Sequence, residues 1–509
     1  MREDSSTRPA ALLAAGFLLL LTLFRLWYGA HLGLAEDEAH YWQWSRHPGL
    51  SYFDQGPGIA GEIRFGTLLL GNTLLGVRLG GILLAAATGW LSFLTARRWL
   101  DERAALWTLG LLSAAPLIAA GSVLATYDGP QVFFWAAALY AVTRTVQEEN
   151  PGGWYVVGAL VGLGALCKTT MFLFAPCVLI FLLLVPAYRR WLATPHPYLA
   201  FVLAMALFSP VVLWNAHNDW MMFRHTAAIT ARSRGAAPFR WFGDFLGGQA
   251  IALSPFVFLA ELWAVGKVRP RRASDPAASF LFAFAAPILI LCLVVSLRSK
   301  LEINWPVPTH LAGVMAVAAW FSAVWQGGSR AGRAAIVTSV GVGPILTLIA
   351  FFPPLLPALG MRIAAKTASK VNQTYGWPTI AARVQTARET LQTEGKPVFI
   401  AGVNYRVASV LAFYLPDQPE TRELFFQTRR DQYWLWTDHA RLIGQNAVLS
   451  FDDDSPEALA TARQTFDRVE ALPPVVVSRP GFVGPVKSWQ IYLCHNFHGY
   501  DPRASVSGY

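Results

Sequence analysis

The sequence has little charge. Only 14% of its 509 residues are Asp, Glu, Lys or Arg, whereas an ordinary soluble domain has about 25%. This deficit excludes a protein whose whole surface faces water. Cysteine is also scarce, and three of the four cysteines lie in apolar runs, so no disulfide framework is indicated. The four are Cys167, Cys177, Cys292 and Cys494.

Long apolar runs are abundant instead, since 54% of the residues are hydrophobic. Roughly eleven runs approach the length of about 20 residues that crosses a bilayer. They lie near 11–30, 63–95, 104–121, 129–146, 154–168, 171–188, 198–214, 245–266, 278–297, 306–325 and 334–352. The first run is interpreted as a span and not as a cleaved signal peptide, because similar runs follow it and no small-residue cleavage site ends it.

The net charge of +10 is distributed as in a membrane protein, and nucleic acid is not indicated as a partner. Basic residues cluster in alternate short loops, which the positive-inside rule places in the cytoplasm. These clusters include Arg97 and Arg98, Arg189 and Arg190, Lys267 and Arg269, and Arg330 and Arg333. The rule places the N-terminus inside, and an odd number of spans then places the C-terminal part outside. Two long external loops result, 31–62 and 215–244.

The composition changes after about residue 355. Residues 381–394 have the pattern of an amphipathic helix, and the runs at 397–403, 446–451, 474–478 and 489–493 have that of strands. We therefore predict a polytopic α-helical membrane domain over 1–355 and a soluble α/β domain over 356–509, called the tail below. Cys494-His495-Asn496-Phe497-His498 is a weak metal candidate beside the alternative of a terminal strand, because further ligands are not evident.

Carboxylates collect in the external loops. Glu36, Asp37 and Glu38 follow the first span directly; adjacent carboxylates repel one another unless something uses them. A solvated acidic patch is an equally good interpretation. Asp54 lies in the Gly- and Pro-rich stretch SYFDQGPG, which predicts a tight backbone. Asp128, in LATYDGPQVFF, could be a second acid or the cap of the next helix.

Basic residues are predicted on the same face as these acids. They are Lys168, His225, Arg232, Arg298 and Lys300. A cation near the membrane needs an anionic partner, and a lipid phosphate suits both Lys and Arg. Snorkelling of long side chains to the interface explains any one of them alone. Glycosyl transfer from a phosphate-linked donor requires both a carboxylate to deprotonate the acceptor and cations to stabilise the departing phosphate.

The first external loop resembles a known family. Its sequence AEDEAHYWQWSRHPGLSYFDQGPGIA is similar to that of glycosyltransferase family 39 and of aminoarabinose-transferase-like GT-C membrane enzymes, which have Asp-Glu, a Tyr-Trp stretch and Tyr-Tyr-Asp-His-Pro-Pro. Asp37-Glu38 matches the first element and Tyr41-Trp42 the second. Tyr52 to Pro57 matches the third imperfectly, since Gln55 and Gly56 depart from the pattern. Tail stretches such as NYRVASVLAFYLP are also similar to this subgroup.

The resemblance implies roles for particular residues. Asp37 is the expected catalytic carboxylate, with its neighbour Glu38, and Asp128 is the second acid. Asp54 falls where aminoarabinose-type members have a metal-binding Glu, so Asp54 and His225 are the candidate ligands of a divalent metal ion. The candidate contacts to the donor phosphate are Tyr52, Lys168, Arg232, Arg298 and Lys300, and Asn304 and Trp305 match the motif that contains Lys300.

The implied activity is inverting transfer of a monosaccharide from a polyprenyl-phosphate donor, with Asp37 as general base. The site would face the periplasm of a bacterial inner membrane, and the acceptor could be lipid A, another glycan, a lipid or a protein. No motif specifies the sugar. A lipid-sugar flippase or transporter is an alternative, although charges near the midplane and internal repeats, which transporters favour, are not evident. A non-catalytic polysaccharide-assembly subunit is the other.

Overall fold

The computed structural model describes residues 7–232, 239–268, 275–365, 372–426, 429–452 and 456–501. Up to residue 358 these residues are helical, and the tail mixes helices with strands. The helices of the first part are α1 (Thr7–His31), α2 (Glu36–Arg46), α3 (Gly58–Leu70), α4 (Leu74–Trp99), α5 (Glu102–Ala114), α6 (Pro116–Gly121), α7 (Asp128–Gln147), α8 (Gly153–Cys167), α9 (Phe174–Leu184), α10 (His196–His217), α11 (Met221–Arg232), α12 (Arg240–Leu253), α13 (Pro255–Lys267), α14 (Pro276–Ser296), α15 (Val307–Gly327), α16 (Arg330–Phe351) and α17 (Leu355–Ala358).

Each predicted apolar run coincides with one or two of these helices. Within the described residues, six are long and apolar enough to cross a membrane: α1, α4, α10, α14, α15 and α16. A seventh span results if α12 and α13, which meet at 105°, are counted together. The other predicted runs correspond to shorter or more polar helices, so the figure of about eleven spans stays a prediction.

The run predicted at 63–95 is two helices, not one. Gly71 ends α3 with a φ of 70°, a conformation that glycine adopts without strain. Thr73 then caps α4, because its hydroxyl oxygen accepts a hydrogen bond from the Gly76 N–H at 3.0 Å. Only three residues, Gly71 to Thr73, separate the two apolar helices, which is why an apolar-run prediction passed through the turn.

The outward faces of the helical part expose large apolar side chains. On α1 these include Leu12, Leu13, Leu19, Leu20 and Leu23, each at least 54% exposed. A soluble monomer rarely exposes so many leucines together, whereas lipid solvates them readily. The bundle is therefore that of a multi-pass membrane protein, as the composition predicts.

The tail contains a mixed sheet. In the described residues its strand order is β3-β2-β4-β8-β5, with β6 also paired to β8; β2 is parallel to β3 and β4, and β8 is antiparallel to its partners. A separate pair joins β1 to β7. The strands are β1 (Ile363–Ala364), β2 (Val398–Gly402), β3 (Arg422–Glu423), β4 (Asn446–Asp452), β5 (Phe466–Ala471), β6 (Val475–Val477), β7 (Phe482–Val483) and β8 (Lys487–Phe497). The helices are α18 (Trp377–Gln392), α19 (Tyr405–Tyr414), α20 (Gln432–Trp436) and α21 (Pro456–Thr465).

Helix α19 of the tail packs on α2 of the first external loop. Trp42 and Val410 lie in one hydrophobic core that includes residues of both helices. Polar contacts cross the same interface, since His40 Nδ1 lies 3.2 Å from the Ser409 hydroxyl and the Gln43 amide donates to the Tyr433 hydroxyl at 3.2 Å. Burial lowers the pKa of His40 to about 3, so the ring is neutral here. The tail therefore packs against the loop that contains Asp37.

Candidate active site

Asp37 lies in the first turn of α2 and is exposed. The N-terminus of a helix favours a negative charge. The Tyr405 hydroxyl, from the tail, donates to Asp37 Oδ1 at 3.2 Å, and Arg406 Nε in turn donates to that hydroxyl at 3.2 Å. Burial and the charge of Asp37 raise the pKa of Tyr405, so its hydroxyl remains a donor. The predicted catalytic carboxylate is therefore accessible and oriented from the tail.

Glu38 has a different environment from its neighbour. Its side chain is 1% exposed and forms an ion pair with Arg78 at 2.6 Å. One carboxylate oxygen also accepts from the Ala125 N–H at 2.9 Å and the other from the Ala35 N–H at 2.9 Å. Both oxygens are thus occupied by contacts that anchor α2, and a catalytic role for Glu38 stays a prediction.

Asp54, His225 and Arg429 form a second polar cluster. His225 Nε2 lies 2.9 Å from Asp54 Oδ1, and one guanidinium nitrogen of Arg429 lies 3.4 Å from Asp54 Oδ1 and 2.9 Å from His225 Nε2. Burial alone would raise the pKa of Asp54, but the hydrogen bond from His225 and the charge of Arg429 outweigh it and hold that pKa well below its usual range. Asp54 is therefore ionised here.

The same cluster does not fit the predicted metal site. Asp54 and His225 do lie together, but Arg429 already supplies a positive charge to both. In the described residues no group of three or more His, Cys, Asp or Glu side chains could hold a metal ion. That finding includes the weak Cys494 candidate, where His495 instead pairs with Glu394 at 3.1 Å.

Asp128 begins α7 and is held by two side chains. Lys168 Nζ lies 2.6 Å from Asp128 Oδ1, and the Asn304 amide donates to Asp128 Oδ2 at 2.7 Å. The predicted second acid and the predicted phosphate lysine are thus brought together, and Asn304 joins them from the loop before α15. The charge of Lys168 is partly neutralised by Asp128, so a phosphate would compete with a carboxylate for it.

A cavity of about 320 Å³ lies beside Asp128 and Asn304. Most of its wall is apolar, and Arg25 of α1 also lines it. Its apolar lining includes Leu18, Leu112, Leu117 and Leu311. A cavity with a polar end and an apolar wall suits an amphiphile.

Tyr52 forms its hydrogen bonds and its ring contact within its own loop. It is buried against Trp44, with ring centroids 4.5 Å apart. Its hydroxyl donates to the Trp44 carbonyl at 2.9 Å and accepts from the Gly49 N–H at 3.1 Å, and burial raises the pKa of Tyr52 to about 12. This side chain therefore shapes the loop that presents Asp54, and the phosphate contact of Tyr52 stays a prediction.

Neither Arg298 nor Lys300, two further predicted phosphate contacts, lines the cavity. Arg298 is exposed. Lys300 is also exposed and pairs with Glu302 at 3.2 Å. The residue of this segment that contacts Asp128 is Asn304. Arg232 is the last residue of α11, and its side chain lies outside the described part of the structure.

Several site residues were missed by the sequence reasoning. Arg78 and Arg25 lie within apolar runs, and an arginine inside such a run was the signal that could have identified them. Tyr405, Arg406 and Arg429 lie more than 340 residues from the loop that they contact; the first two belong to the tail stretch NYRVASVLAFYLP that resembles the family, but no local pattern links any of the three to that loop.

Known proteins resemble this chain in sequence. The sequence profile of the family described as dolichyl-phosphate-mannose-protein mannosyltransferase matches residues 54–214. The lipid A galacturonosyltransferase RgtD of Rhizobium johnstonii is 32% identical over 320 residues, which cover 62% of this chain and 67% of the relative. The chain is a GT-C membrane glycosyltransferase. A second relative of this glycosyltransferase, the undecaprenyl phosphate-α-4-amino-4-deoxy-L-arabinose arabinosyl transferase of Pseudomonas aeruginosa, is 33% identical over 149 residues, 28% of this chain and 27% of the relative.

Solved structures show the same fold. The GT-C glycosyltransferase superposes on apo ArnT of Cupriavidus metallidurans with a TM-score of 0.62 at 16% identity, covering 96% of this chain and 98% of that one. ArnT bound to undecaprenyl phosphate gives 0.61 at 16% identity over 94% and 97%. The predicted family and the predicted fold class, a helical membrane domain with a sheet-containing tail, are confirmed.

Proposed function

We propose that this glycosyltransferase moves one monosaccharide from undecaprenyl phosphate to a lipid A-type acceptor, with Asp37 as general base. The observation that carries the proposal is the accessible carboxylate of Asp37, held by Tyr405 in a chain whose relatives are lipid A and undecaprenyl-phosphate glycosyltransferases by name. The neighbouring acids face cations, since Glu38 pairs with Arg78 and Asp128 with Lys168, and Glu36 lies 3.8 Å from Arg406 and 3.9 Å from Lys487. Asp37 is the acid whose described contacts leave it able to accept a proton.

The reaction is a single displacement. Asp37 removes the proton of an acceptor hydroxyl as that oxygen forms a bond to the anomeric carbon. The bond from this carbon to the phosphate oxygen breaks on the opposite side, the electron pair stays on the phosphate, and the configuration inverts. Asp37 then releases its proton to water. Tyr405 keeps the carboxylate oriented, since a hydroxyl donor stabilises the ionised form.

The transferred sugar is proposed to be a uronic acid. Arg406 donates to the tyrosine that holds Asp37, and Arg429 lies over the same tyrosine ring, 5.5 Å from its centroid. Arg429 also lies 3.4 Å from Asp54 and Arg406 3.8 Å from Glu36, so a carboxylate on the sugar would compete with these two acids for the guanidinium groups. The name of the galacturonosyltransferase relative agrees with this choice.

The periplasmic face of a bacterial inner membrane is the proposed place of the reaction. The basic loops are placed in the cytoplasm by the positive-inside rule, which leaves Asp37 and the tail outside. Reporter fusions at the N-terminus and after the tail test this orientation. Activity of a periplasm-specific reporter at the N-terminus would contradict it.

Transfer of radiolabelled sugar from undecaprenyl-phosphate donors to membrane extracts tests the reaction. We expect labelling of a lipid A-type product by wild type and a loss of about a hundredfold or more in Asp37→Asn. Asp467→Asn, a surface carboxylate of the tail 53% exposed, is the matched control and keeps wild-type transfer. Galacturonate and aminoarabinose donors are compared in parallel, and preference for the amino sugar overturns the uronic acid assignment.

Two results would redirect the interpretation. Undiminished transfer by Asp37→Asn, at equal expression, excludes Asp37 as the base and leaves Asp54 to be tested next. No transfer from any donor, by a protein that is folded, favours the flippase or the polysaccharide-assembly subunit over the transferase.

A further inference from the structure

Arg25 is a buried cation within an apolar helix. It lies six residues before the end of α1 at His31, which is about 9 Å along a helix that rises about 1.5 Å per residue. The side chain is 4% exposed and lines the cavity beside Asp128. Arginine is rare at such positions, and it marks a ligand or a counter-charge when it occurs.

The described residues provide no partner for this guanidinium. None of them forms a hydrogen bond or an ion pair with Arg25. The two acids that line the cavity are already occupied, Asp128 by Lys168 and Glu302 by Lys300. The cavity therefore has an uncompensated positive charge, which is costly away from water.

The shape of the cavity limits what could neutralise this charge. Its volume of about 320 Å³ lies at the lower end of the range for small-ligand sites, about 300–1,000 Å³. Leucines form much of the wall, so a compact ion such as free phosphate would leave apolar surface uncovered. A phosphate joined to a hydrocarbon chain satisfies both the charge and the wall.

We propose that Arg25 is the phosphate-binding residue of a lipid site in this cavity, and that the lipid phosphate forms a forked ion pair with its guanidinium. Arginine presents paired N–H donors that match two phosphate oxygens. The inference rests on the proposed function for the identity of the lipid, which is the polyprenyl phosphate of the donor. A lipid A phosphate has the same chemistry and is the other possible source.

The test is lipid binding measured apart from transfer. Purified wild type and Arg25→Met are titrated in detergent with undecaprenyl phosphate, with uncharged undecaprenol and with lipid A, and the shift in thermal midpoint is followed. A ligand that binds the folded state raises this midpoint. We expect undecaprenyl phosphate to stabilise wild type and to bind Arg25→Met at least about tenfold more weakly. The affinity for undecaprenol is expected to be the same in both proteins.

The ligand-free midpoint distinguishes a binding role from a structural one. Met removes an unpaired buried charge and keeps an apolar stem of similar length, so Arg25→Met is expected to unfold at a higher temperature than wild type. Arg64→Met, which alters an exposed arginine of α3, is the matched control and changes neither quantity. Arg25→Lys keeps the charge but not the paired N–H donors, so it is expected to bind undecaprenyl phosphate with intermediate affinity. This variant is used in place of Arg25→Met if the Met variant does not fold.

Each other outcome of the binding test leads to a different conclusion. Equal undecaprenyl phosphate affinity in wild type and Arg25→Met overturns the proposal, as does a lowered midpoint with unchanged binding. An effect confined to lipid A supports the anion site and identifies the acceptor as its lipid. Arg25-dependent binding in a protein that transfers no sugar supports the lipid site while the proposed transferase function fails.

Discussion

Glu38 and Arg78 form an ion pair in which the two side chains are 1% and 0% exposed. Arg78 also donates to the carbonyls of Gly29 and Gly33, at 2.9 and 2.8 Å, and to that of Leu32. The pair thus joins α2 to α4 and to the end of α1. Asp37 adjoins Glu38, so this buried contact fixes the point from which the proposed base faces the acceptor.

Removing one member of this pair is expected to destabilise the protein. Glu38→Gln or Arg78→Met leaves an uncompensated charge or unsatisfied groups in a dry position, which costs about 3–5 kcal/mol. Thermal unfolding in detergent measures the loss. Asp37→Asn, one residue away but exposed, is the control and keeps the wild-type midpoint. A wild-type midpoint in both pair variants would contradict the anchoring role.

Tyr405→Phe tests whether the tail orients the base. The variant loses the hydroxyl that donates to Asp37 at 3.2 Å and keeps the ring. We expect transfer to fall by about tenfold, the effect of a hydrogen bond to a charged group, with an unchanged thermal midpoint. Tyr500→Phe, elsewhere in the tail, is the comparison for loss of a hydroxyl. Full activity of Tyr405→Phe would show that Asp37 needs no partner from the tail.

The parts that sequence could predict are local. The helical runs, the tail strands at 446–451 and 489–493 and the family motif around Asp37 follow from periodicity and from residues next to one another. Contacts with distant partners were not accessible: Glu38 is buried against Arg78, and Arg429 of the tail lies beside Asp54 and His225, which contact each other directly. These contacts are decided by packing of segments far apart in sequence.

Metal chelation is expected to leave transfer unchanged. Arg429 lies within 3.4 Å of Asp54 and 2.9 Å of His225, so the pair has a cation without a bound ion. Transfer by wild type is compared before and after treatment with EDTA, and the metal content of the purified protein is measured. Arg429→Ala is expected to lose about tenfold in transfer, whereas Arg430→Ala, whose guanidinium lies 4.4 Å from the Trp434 ring centroid, is the control. Stoichiometric metal with EDTA-sensitive transfer would restore the metal site.

Asp128 and Lys168 are expected to act as one unit. Their atoms are 2.6 Å apart, and residues in direct contact usually have non-additive effects when both are changed. Lys168→Met should weaken donor binding, whereas Asp128→Asn, which releases Lys168 from its carboxylate partner, should strengthen it, and this gain should disappear in the double variant. Binding of undecaprenyl phosphate is the measurement. A gain from Asp128→Asn that persists without Lys168 would show that the two side chains act on the donor independently.

Asp431 is expected to make the stability of the tail depend on pH. Burial raises the pKa of Asp431, which is hydrogen-bonded to the buried Glu423, above the value of about 3.9 in an unfolded chain. Between the unfolded and the folded pKa the folded state binds more protons than the unfolded state, so the free energy of unfolding decreases as pH rises above about 4. Asp431→Asn should reduce this dependence and still cap α20, where Asp431 Oδ1 accepts from the Tyr433 N–H at 2.8 Å. Thermal midpoints across this pH range are the measurement, with Asp438→Asn, at an exposed cap, as the control; a midpoint that rises with pH in wild type but not in Asp431→Asn would refute the assignment.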